Sequence, residues 1–113
     1  MASGTLKVLS GPAFLSNSAG TNIYQGGGGS ALIYDKVIQI HFNAKLAATI
    51  TMYKGLTAGV AAGTELFSSF AMTISTFYDW FGLLKLTSTD FLTGSASVAS
   101  AIVCTIQGEQ FVV

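Results

Sequence analysis

Hydrophobic side chains recur at every second position in four stretches of this chain. Between residues 32 and 42 the even positions are apolar except Lys36, and the odd positions include Asp35, Gln39 and His41. A repeat of two residues is typical of a β-strand that buries one face, because successive side chains point to opposite sides of a sheet. The same parity continues in three later stretches: Ile50 and Met52; Leu66, Phe70, Met72 and Ile74; and Val98, Ile102, Cys104 and Ile106.

Short segments rich in Gly, Ser, Thr, Asn and Asp predict turns between these strands, and no helix of normal length fits between them. The segments are residues 11–12, 17–20, 26–30, 43–47, 55–63, 79–82 and 87–90. The glycine run 26–29 predicts a mobile hairpin tip, with close packing against a neighbour's backbone as the alternative. Residues 56–62 predict a long loop, with a helical turn as the alternative. The pattern predicts an all-β fold: an antiparallel β-sandwich or a jelly-roll-like small barrel of about seven to nine strands.

A length of 113 residues is enough for one domain with one hydrophobic core. Residues 1–20, rich in Ser, Gly and Ala, are predicted to form an N-terminal arm or an edge strand, and residues 21–113 a single β-sandwich domain. Cys104 is the chain's one cysteine, so it cannot form an intrachain disulfide. Its place in an alternating stretch predicts a small buried hydrophobe.

Charge is scarce: only 9% of the residues are charged, 50% are hydrophobic, and the formal net charge is zero. A compact monomer of this size exposes about 5,900 Å² of surface. A soluble monomer of such a size normally carries about a quarter to a third charged residues on its surface and a net charge away from zero. The composition therefore predicts that other protein covers part of this surface, either further copies of the chain or a larger assembly.

Several partner classes are disfavoured by the kind of charge present. The five basic residues are all lysines and form no cluster, which disfavours nucleic acids and anionic membranes as partners. No uninterrupted apolar stretch is long enough to predict a membrane span. Residues 1–4 lack the charged start of a signal peptide, so synthesis in the cytoplasm is expected.

Catalytic, metal and cofactor chemistry find little support among the polar residues. The five carboxylates are scattered singly, so no acid/base pair is predicted. His41 falls on the polar side of a predicted strand, without the spacing of a catalytic triad, and is expected to be solvated or at an interface. One His and one Cys are too few for a structural zinc site, and the glycine run lacks the Lys-Ser/Thr of a phosphate-binding loop. We therefore expect a non-enzymatic protein without metal or cofactor.

Aromatic residues are the remaining candidates for a binding surface. Tyr78, Trp80 and Phe81 cluster around a predicted turn at Asp79. Such rings can cap the core, anchor a protein interface or stack on sugar faces, and the sequence leaves these three roles open. The predicted interface residues are Phe14, Leu15, Tyr78, Trp80 and Phe81.

Five short motifs carry a resemblance to a known family. They are KVIQIHFN (36–43), TITMYKG (49–55), ELF (65–67), WFGL (80–83) and LTGSAS (92–97). Over residues 31–110 this pattern resembles the small all-β virion proteins of tailed bacteriophages. The resemblance implies a capsid decoration or other head-associated subunit. Its implied partners are further copies of itself, with a trimer favoured over a dimer, and a major capsid or other virion protein. Its implied location is the surface of the phage head.

The resemblance leaves a second function open. A tail or fibre component of the same class would bind a glycan or a host receptor, and the predicted loop from Tyr78 to Trp80 is the candidate site for such a ligand.

Overall fold

The computed structural model describes residues 5–55 and 65–112, and within these ranges it contains eight β-strands and no α-helix. The predicted loop at 56–62 lies outside the described residues. No helix in the described ranges has the length and apolar character needed to cross a membrane. The strands are β1 (Thr5–Phe14), β2 (Thr21–Gln25), β3 (Ile33–Ala44), β4 (Ala48–Gly55), β5 (Glu65–Met72), β6 (Phe77–Leu86), β7 (Phe91–Ala96) and β8 (Ile102–Val112).

The strands form two four-stranded antiparallel sheets. Sheet A has the order β1-β8-β3-β6, and sheet B has the order β2-β7-β4-β5. The chain can be described as one long hairpin whose tip lies between β4 and β5. The two arms of this hairpin pair as β1–β8, β2–β7, β3–β6 and β4–β5. Rolling this hairpin up brings β3 beside β8 and β4 beside β7, which is the jelly-roll form of the β-sandwich. The prediction of an antiparallel sandwich with seven to nine strands is confirmed.

The hydrophobic core lies between the two sheets. Sheet A contributes Ile40, Phe42 and Ile106, and sheet B contributes Ile50 and Met52, all with no exposed surface. In β8 the predicted alternation is confirmed, since residues 102, 104 and 106 are buried while the residues between them are half-buried. In β4, Ile50 and Met52 are buried as predicted.

A β-bulge in β3 makes the predicted alternation wrong for half of that strand. The register of β3 with both neighbours shifts between Val37 and Gln39. The buried side chains are even-numbered from Ile40 onwards, as predicted, but odd-numbered before the bulge, where Asp35 and Val37 are buried. An extra residue in a strand exchanges its two faces, because side chains alternate with a period of two. The bulge therefore places Lys36 on the outside, and it explains why this lysine interrupts the apolar series.

Irregular backbone also changes other predictions in the second half of the chain. Ser69 has a positive φ of 50° and lies where the register of β4 with β5 shifts, so that Phe67 as well as Leu66 packs against the core. Ile74 and Val98, both predicted on the buried faces of strands, lie between strands and are 58% and 41% exposed.

Three predicted turns have other structures. Residues 11–12 lie inside β1, where its register with β8 shifts, and β1 is an edge strand of sheet A. Residues 79–82 lie within β6. Residues 26–29 form a 3₁₀ turn rather than a mobile tip, and Gly26 and Gly27 are buried. A Cβ on Gly26 would lie 2.1 Å from the carbonyl oxygen of Thr87, so the glycine allows the close approach of two backbone segments.

The bulge in β3 depends on a glycine in the neighbouring strand. Gly108 pairs with Val37, and a Cβ on it would lie 2.1 Å from the carbonyl oxygen of Lys36. Gly108→Ala should therefore reduce the free energy of unfolding by about 2 kcal/mol or more, because buried backbone must move. Gly55→Ala is the matched control, since a Cβ at this position would have no atom of residues 5–55 or 65–112 within 4 Å apart from its chain neighbours. Urea unfolding of both variants checks this, and equal stability losses would contradict it.

Candidate functional site

The side of sheet A that points away from sheet B is the candidate functional surface, here called the outer face. Large apolar side chains lie at its two edges. The β1 margin consists of Leu6, Val8 and Phe14, and the β6 margin consists of Phe77, Phe81 and Leu83. These six residues are between 49% and 75% exposed. Their exposure is unusual because each is as large as the side chains that fill the core.

Polar side chains occupy the middle of the outer face, between the two margins. In β3 and β6, His41 pairs with Asp79, and its Nδ1 lies 2.5 Å from Asp79 Oδ1. The Gln39 amide donates to the same Oδ1 at 3.0 Å. The hydrogen bond with His41 lowers the pKa of Asp79 below its usual value, and the bond from Gln39 adds to this effect against the opposing effect of burial. Asp79 is therefore held in its ionised form.

The His41–Asp79 pair can orient an imidazole and hold a proton between two residues. Thr105 is the register partner of His41 on the other side, in β8, so a carboxylate, an imidazole and a hydroxyl share one row across the sheet. This row lies on an open sheet surface. A cleft of about 190 Å³ lies elsewhere, between β1 and β2, where it is lined by residues such as Phe14, Ile23 and Cys104.

Two lysines of the outer face are engaged with aromatic rings. Tyr34 and Phe111 stack with their ring centroids 4.9 Å apart. The Lys85 ammonium lies 4.8 Å from the Tyr34 centroid, and the Lys36 ammonium lies 5.4 Å from the Phe111 centroid. Cations over ring faces are attracted by the ring quadrupole. These contacts place the two positive charges at one end of the outer face.

Two of the five predicted interface residues lie on the outer face. Phe14 is 54% exposed in the β1 margin and Phe81 is 67% exposed in the β6 margin. Leu15 is buried in the core of the chain itself. Tyr78 and Trp80 are half-buried and pack against the core from the inner side of β6. The structure thus separates this group between the two sides of one sheet.

The predicted loop from Tyr78 to Trp80 is wrong, because these residues lie within strand β6. Tyr78 contacts Phe70 of β5 with ring centroids 4.3 Å apart, which closes this side of the sandwich with aromatic rings. Trp80 lies over Gly82, where a Cβ would be 2.7 Å from the indole ring. The aromatic cluster is therefore mainly a structural part of the core boundary.

Four apolar residues of the margins were not predicted from the sequence. Leu6, Val8, Phe77 and Leu83 were not among the predicted interface residues. For the β6 margin the sequence does contain a signal, which is the recurrence of apolar residues at the odd positions 77, 81 and 83. The odd positions from 77 to 85 all point outward in strand β6. The Asp and Gly in residues 79–82 hid this signal, because together they are typical of a turn.

A second polar site is buried, and its central residue is Asp35. The predicted alternation of β3 placed Asp35 on the solvent side, which is wrong. Asp35 has no exposed surface. Its Oδ2 accepts hydrogen bonds from the Tyr24 hydroxyl and the Gly27 backbone N–H, each at 2.6 Å, and its Oδ1 accepts one from the Gln110 amide at 3.0 Å. Burial, together with the Asp35 carboxylate, raises the pKa of Tyr24. The Tyr24 hydroxyl is thus kept as a donor, and the three donors offset the cost of burying a carboxylate.

Cys104 and the metal-binding residue types offer no further reactive site in the described ranges. Cys104 is buried as predicted, and burial raises the pKa of its thiol to about 12, which disfavours the reactive thiolate. Within residues 5–55 and 65–112, no group of three or more His, Cys, Asp or Glu side chains is placed to hold a metal ion.

Nothing matches this chain among protein-family models, curated proteins or solved structures. The resemblance to bacteriophage virion proteins therefore stays a prediction that rests on the five sequence motifs.

The Asp35 site should be sensitive to the loss of a single donor. Tyr24→Phe should reduce the free energy of unfolding by about 1–3 kcal/mol, because a buried carboxylate oxygen loses a hydrogen bond. Tyr34→Phe removes the same group from a ring on the outer face and should change stability little. Chemical denaturation of both variants tests this prediction. Equal stability of Tyr24→Phe and the wild type would show that the Tyr24 bond contributes nothing.

The bond between His41 and Asp79 should make stability depend on pH. A carboxylate with a lowered folded-state pKa stabilises the fold above its ordinary pKa of 3.8, and this stabilisation is lost as the pH falls through the folded-state value. At neutral pH, Asp79→Asn should therefore lose about 1 kcal/mol at most, since the pair is partly exposed. At pH below the folded-state value the difference from the wild type should vanish. Urea unfolding of both proteins over a pH series measures this stability difference. A difference that does not change with pH would contradict the lowered pKa of Asp79.

Proposed function

We propose that this chain is a non-enzymatic structural protein that binds other protein through its outer face. The observation that carries the proposal is the exposure of six large apolar side chains, in the β1 and β6 margins, on the outside of a sheet whose inner side already forms the core. Large exposed apolar patches on soluble proteins mark interaction surfaces. Covering about 400 Å² of apolar surface would contribute about 10 kcal/mol before the entropy of association is subtracted.

The charged residues support this proposal, because many of them are already engaged within the chain. Lys36 and Lys85 lie over aromatic rings. Lys54 pairs with Asp90 at 3.4 Å. Two of the remaining carboxylates, Asp35 and Asp79, are held by hydrogen bonds. A surface of 5880 Å² with so few unengaged charges is poorly suited to full exposure to water.

We further propose that the assembly is a virion and that the chain is a capsid decoration subunit of a tailed bacteriophage, made in the host cytoplasm and bound to the head surface. This step rests on the resemblance over residues 31–110. The jelly-roll fold is compatible with it, since viral capsid domains use this fold, but lectin domains use it as well. Fold alone does not decide between these functions. The exposed apolar margins favour contact with protein, because large exposed apolar side chains mark interaction surfaces.

Binding of a glycan or receptor was the alternative function. It relied on a loop from Tyr78 to Trp80, and these residues lie inside β6, with the Tyr78 and Trp80 rings packed against the core. The alternative has therefore lost its proposed binding site, and we do not favour it.

The virion proposal is tested on phage particles purified from the organism that encodes this chain. Mass spectrometry should detect the chain in these particles, and an antibody raised against it should label the outside of the heads in electron micrographs. Absence of the chain from purified particles would overturn the assignment to a virion. Labelling confined to tails or fibres would overturn the assignment to the head.

The role of the outer face is tested with the same particles after the chain has been removed from them. Val8→Lys puts a charge in the β1 margin at a residue that is 49% exposed. Rebinding of this variant should be weaker by about tenfold or more, since a buried charge lacks a partner. Ile74→Lys is the matched control, because Ile74 is 58% exposed in the turn between β5 and β6. Equal rebinding of both variants would place the binding surface elsewhere.

A further inference from the structure

Strand β6 is an edge of sheet A that carries little protection against pairing with another strand. It is ten residues long, contains no proline and ends the strand order of the sheet. An edge strand presents a row of N–H and C=O groups that another strand can pair with. Its register with β3 shifts once, between Phe81 and Leu84, but side chains alternate between inside and outside along its whole length.

The other three edge strands differ from β6 in ways that hinder pairing. Strand β1 contains Pro12 and two register shifts. Strand β2 has only five residues. Strand β5 is interrupted by the positive φ of Ser69. Proline, bulges, charged side chains and short length are the usual means by which proteins block edge-to-edge association. Strand β6 has one register shift and carries Asp79 and Lys85, but it is ten residues long and lacks proline. Among the edges of the two sheets, β6 is therefore the one best suited to extension.

The outward side chains of β6 are complementary to themselves. We infer that β6 pairs with β6 of a second copy of this chain, antiparallel and about a two-fold axis at Gly82. In this register Asp79 of each copy lies opposite Lys85 of the other, and Phe81 lies opposite Leu83. Each pair occurs twice, as a two-fold interface requires. Opposite charges and apolar pairs directly across two strands stabilise a sheet.

The charges select this register over its neighbours. With the axis at Phe81, Asp79 would lie opposite Leu83. With the axis at Leu83, Lys85 would lie opposite Phe81. An axis between two residues would place outward side chains opposite inward ones, which a pleated sheet does not allow. Only the axis at Gly82 gives each charge an opposite charge and pairs Phe81 with Leu83; Phe77 lies opposite Thr87, beyond the end of β6.

The local contacts of both charges are compatible with this pairing. The bonds from His41 and Gln39 are both accepted by Asp79 Oδ1, so neither of them uses Oδ2. Lys85 is exposed, and its ammonium is attracted to the face of the Tyr34 ring. The ring face is not a hydrogen-bonding acceptor of the kind a carboxylate offers, so this contact does not use the ammonium N–H groups as an ion pair would. An ion pair across the two-fold axis can therefore add to the existing contacts of Asp79 and Lys85.

Pairing would join two copies of sheet A into one eight-stranded sheet. Because the axis is perpendicular to the sheet, both outer faces lie on the same side, and the two β6 margins meet at the centre. The inference goes beyond the proposed function, since this pairing requires no phage head. It also predicts a dimer where the resemblance implies a trimer, because a two-fold contact closes at two chains.

The mass of the purified chain in solution tests the pairing, by light scattering and sedimentation equilibrium. The expected mass is twice the chain mass of 11.7 kDa. Leu83→Lys and Lys85→Glu should each weaken the dimer by about tenfold or more. In the first variant a charge faces the apolar Phe81, and in the second variant the introduced glutamate faces Asp79, a like charge; each unfavourable pair occurs twice. A wild-type chain that is monomeric at every concentration, or that forms trimers, would overturn the inference.

Two matched controls separate edge pairing from general effects on the outer face. Lys36→Glu makes the same charge change in β3 at the register partner of Lys85, one strand away from the edge. Leu6→Lys makes the same change as Leu83→Lys at a residue of similar exposure, 70% against 75%, on the opposite edge. Both control variants should stay dimeric. Loss of the dimer in the controls and the test variants alike would overturn the role of β6.

Cross-linking tests the register itself. When Phe81→Cys and Leu83→Cys variants are mixed and oxidised, a disulfide should join the two different variants, because these positions lie directly opposite. Each variant by itself should cross-link much less, since position 81 or 83 is then about 7–8 Å or more from its own copy. Equal cross-linking in all three samples would overturn the axis at Gly82.

These outcomes are independent of the proposed function. A dimer whose chain is absent from phage particles supports the pairing and overturns the virion assignment. A monomer that nevertheless labels phage heads overturns the pairing and supports the virion assignment.

Discussion

The burial of one face of β3 is the constraint on which the rest of this structure depends. β3 lies inside sheet A between β8 and β6, so its alternation sets which side chains of three strands face the core. The bulge after Val37 exchanges the two faces of β3 and thereby directs Asp35 inward and Lys36 outward. The inward carboxylate then requires donors, and these come from β2, the 3₁₀ turn and β8. One extra residue in a strand thus links the core, the polar network and the outer face.

Sheet A carries large apolar side chains on both sides, and this connects the fold to its proposed role. Its inner side is covered by sheet B, whereas the β1 and β6 margins of its outer side are open. The chain's few charges do not compensate for this, because several of them are engaged in contacts within the fold. A partner that covers the outer face, and a second copy that covers the β6 edge, would each bury surface that water solvates poorly. Both proposals therefore follow from one physical imbalance.

Regular strands were predictable from the sequence, and irregular ones were not. Strand β8 runs from Ile102 without interruption through the core, so its period of two identified the buried residues correctly. Strand β3 was predicted correctly only after its bulge, because one lysine in an apolar series does not by itself identify a change of register. Within β6, Asp79 and Gly82 are residue types typical of a turn. Asp79 is held in the strand by His41 and Gly82 makes room for Trp80, and both reasons are contacts between neighbours in space.

The amino-acid sequence by itself determined that this chain forms an antiparallel all-β fold, a sandwich or a small barrel, with one core and a surface poor in charge. These properties follow from local alternation and from composition, which do not depend on how the strands are arranged. Only the tertiary structure decided which strands form the edges, which aromatic residues face outward, and that Asp35 is buried with three donors. Strand order and register bring together residues far apart in the chain, such as Tyr24 and Gln110, and no local pattern encodes such pairings.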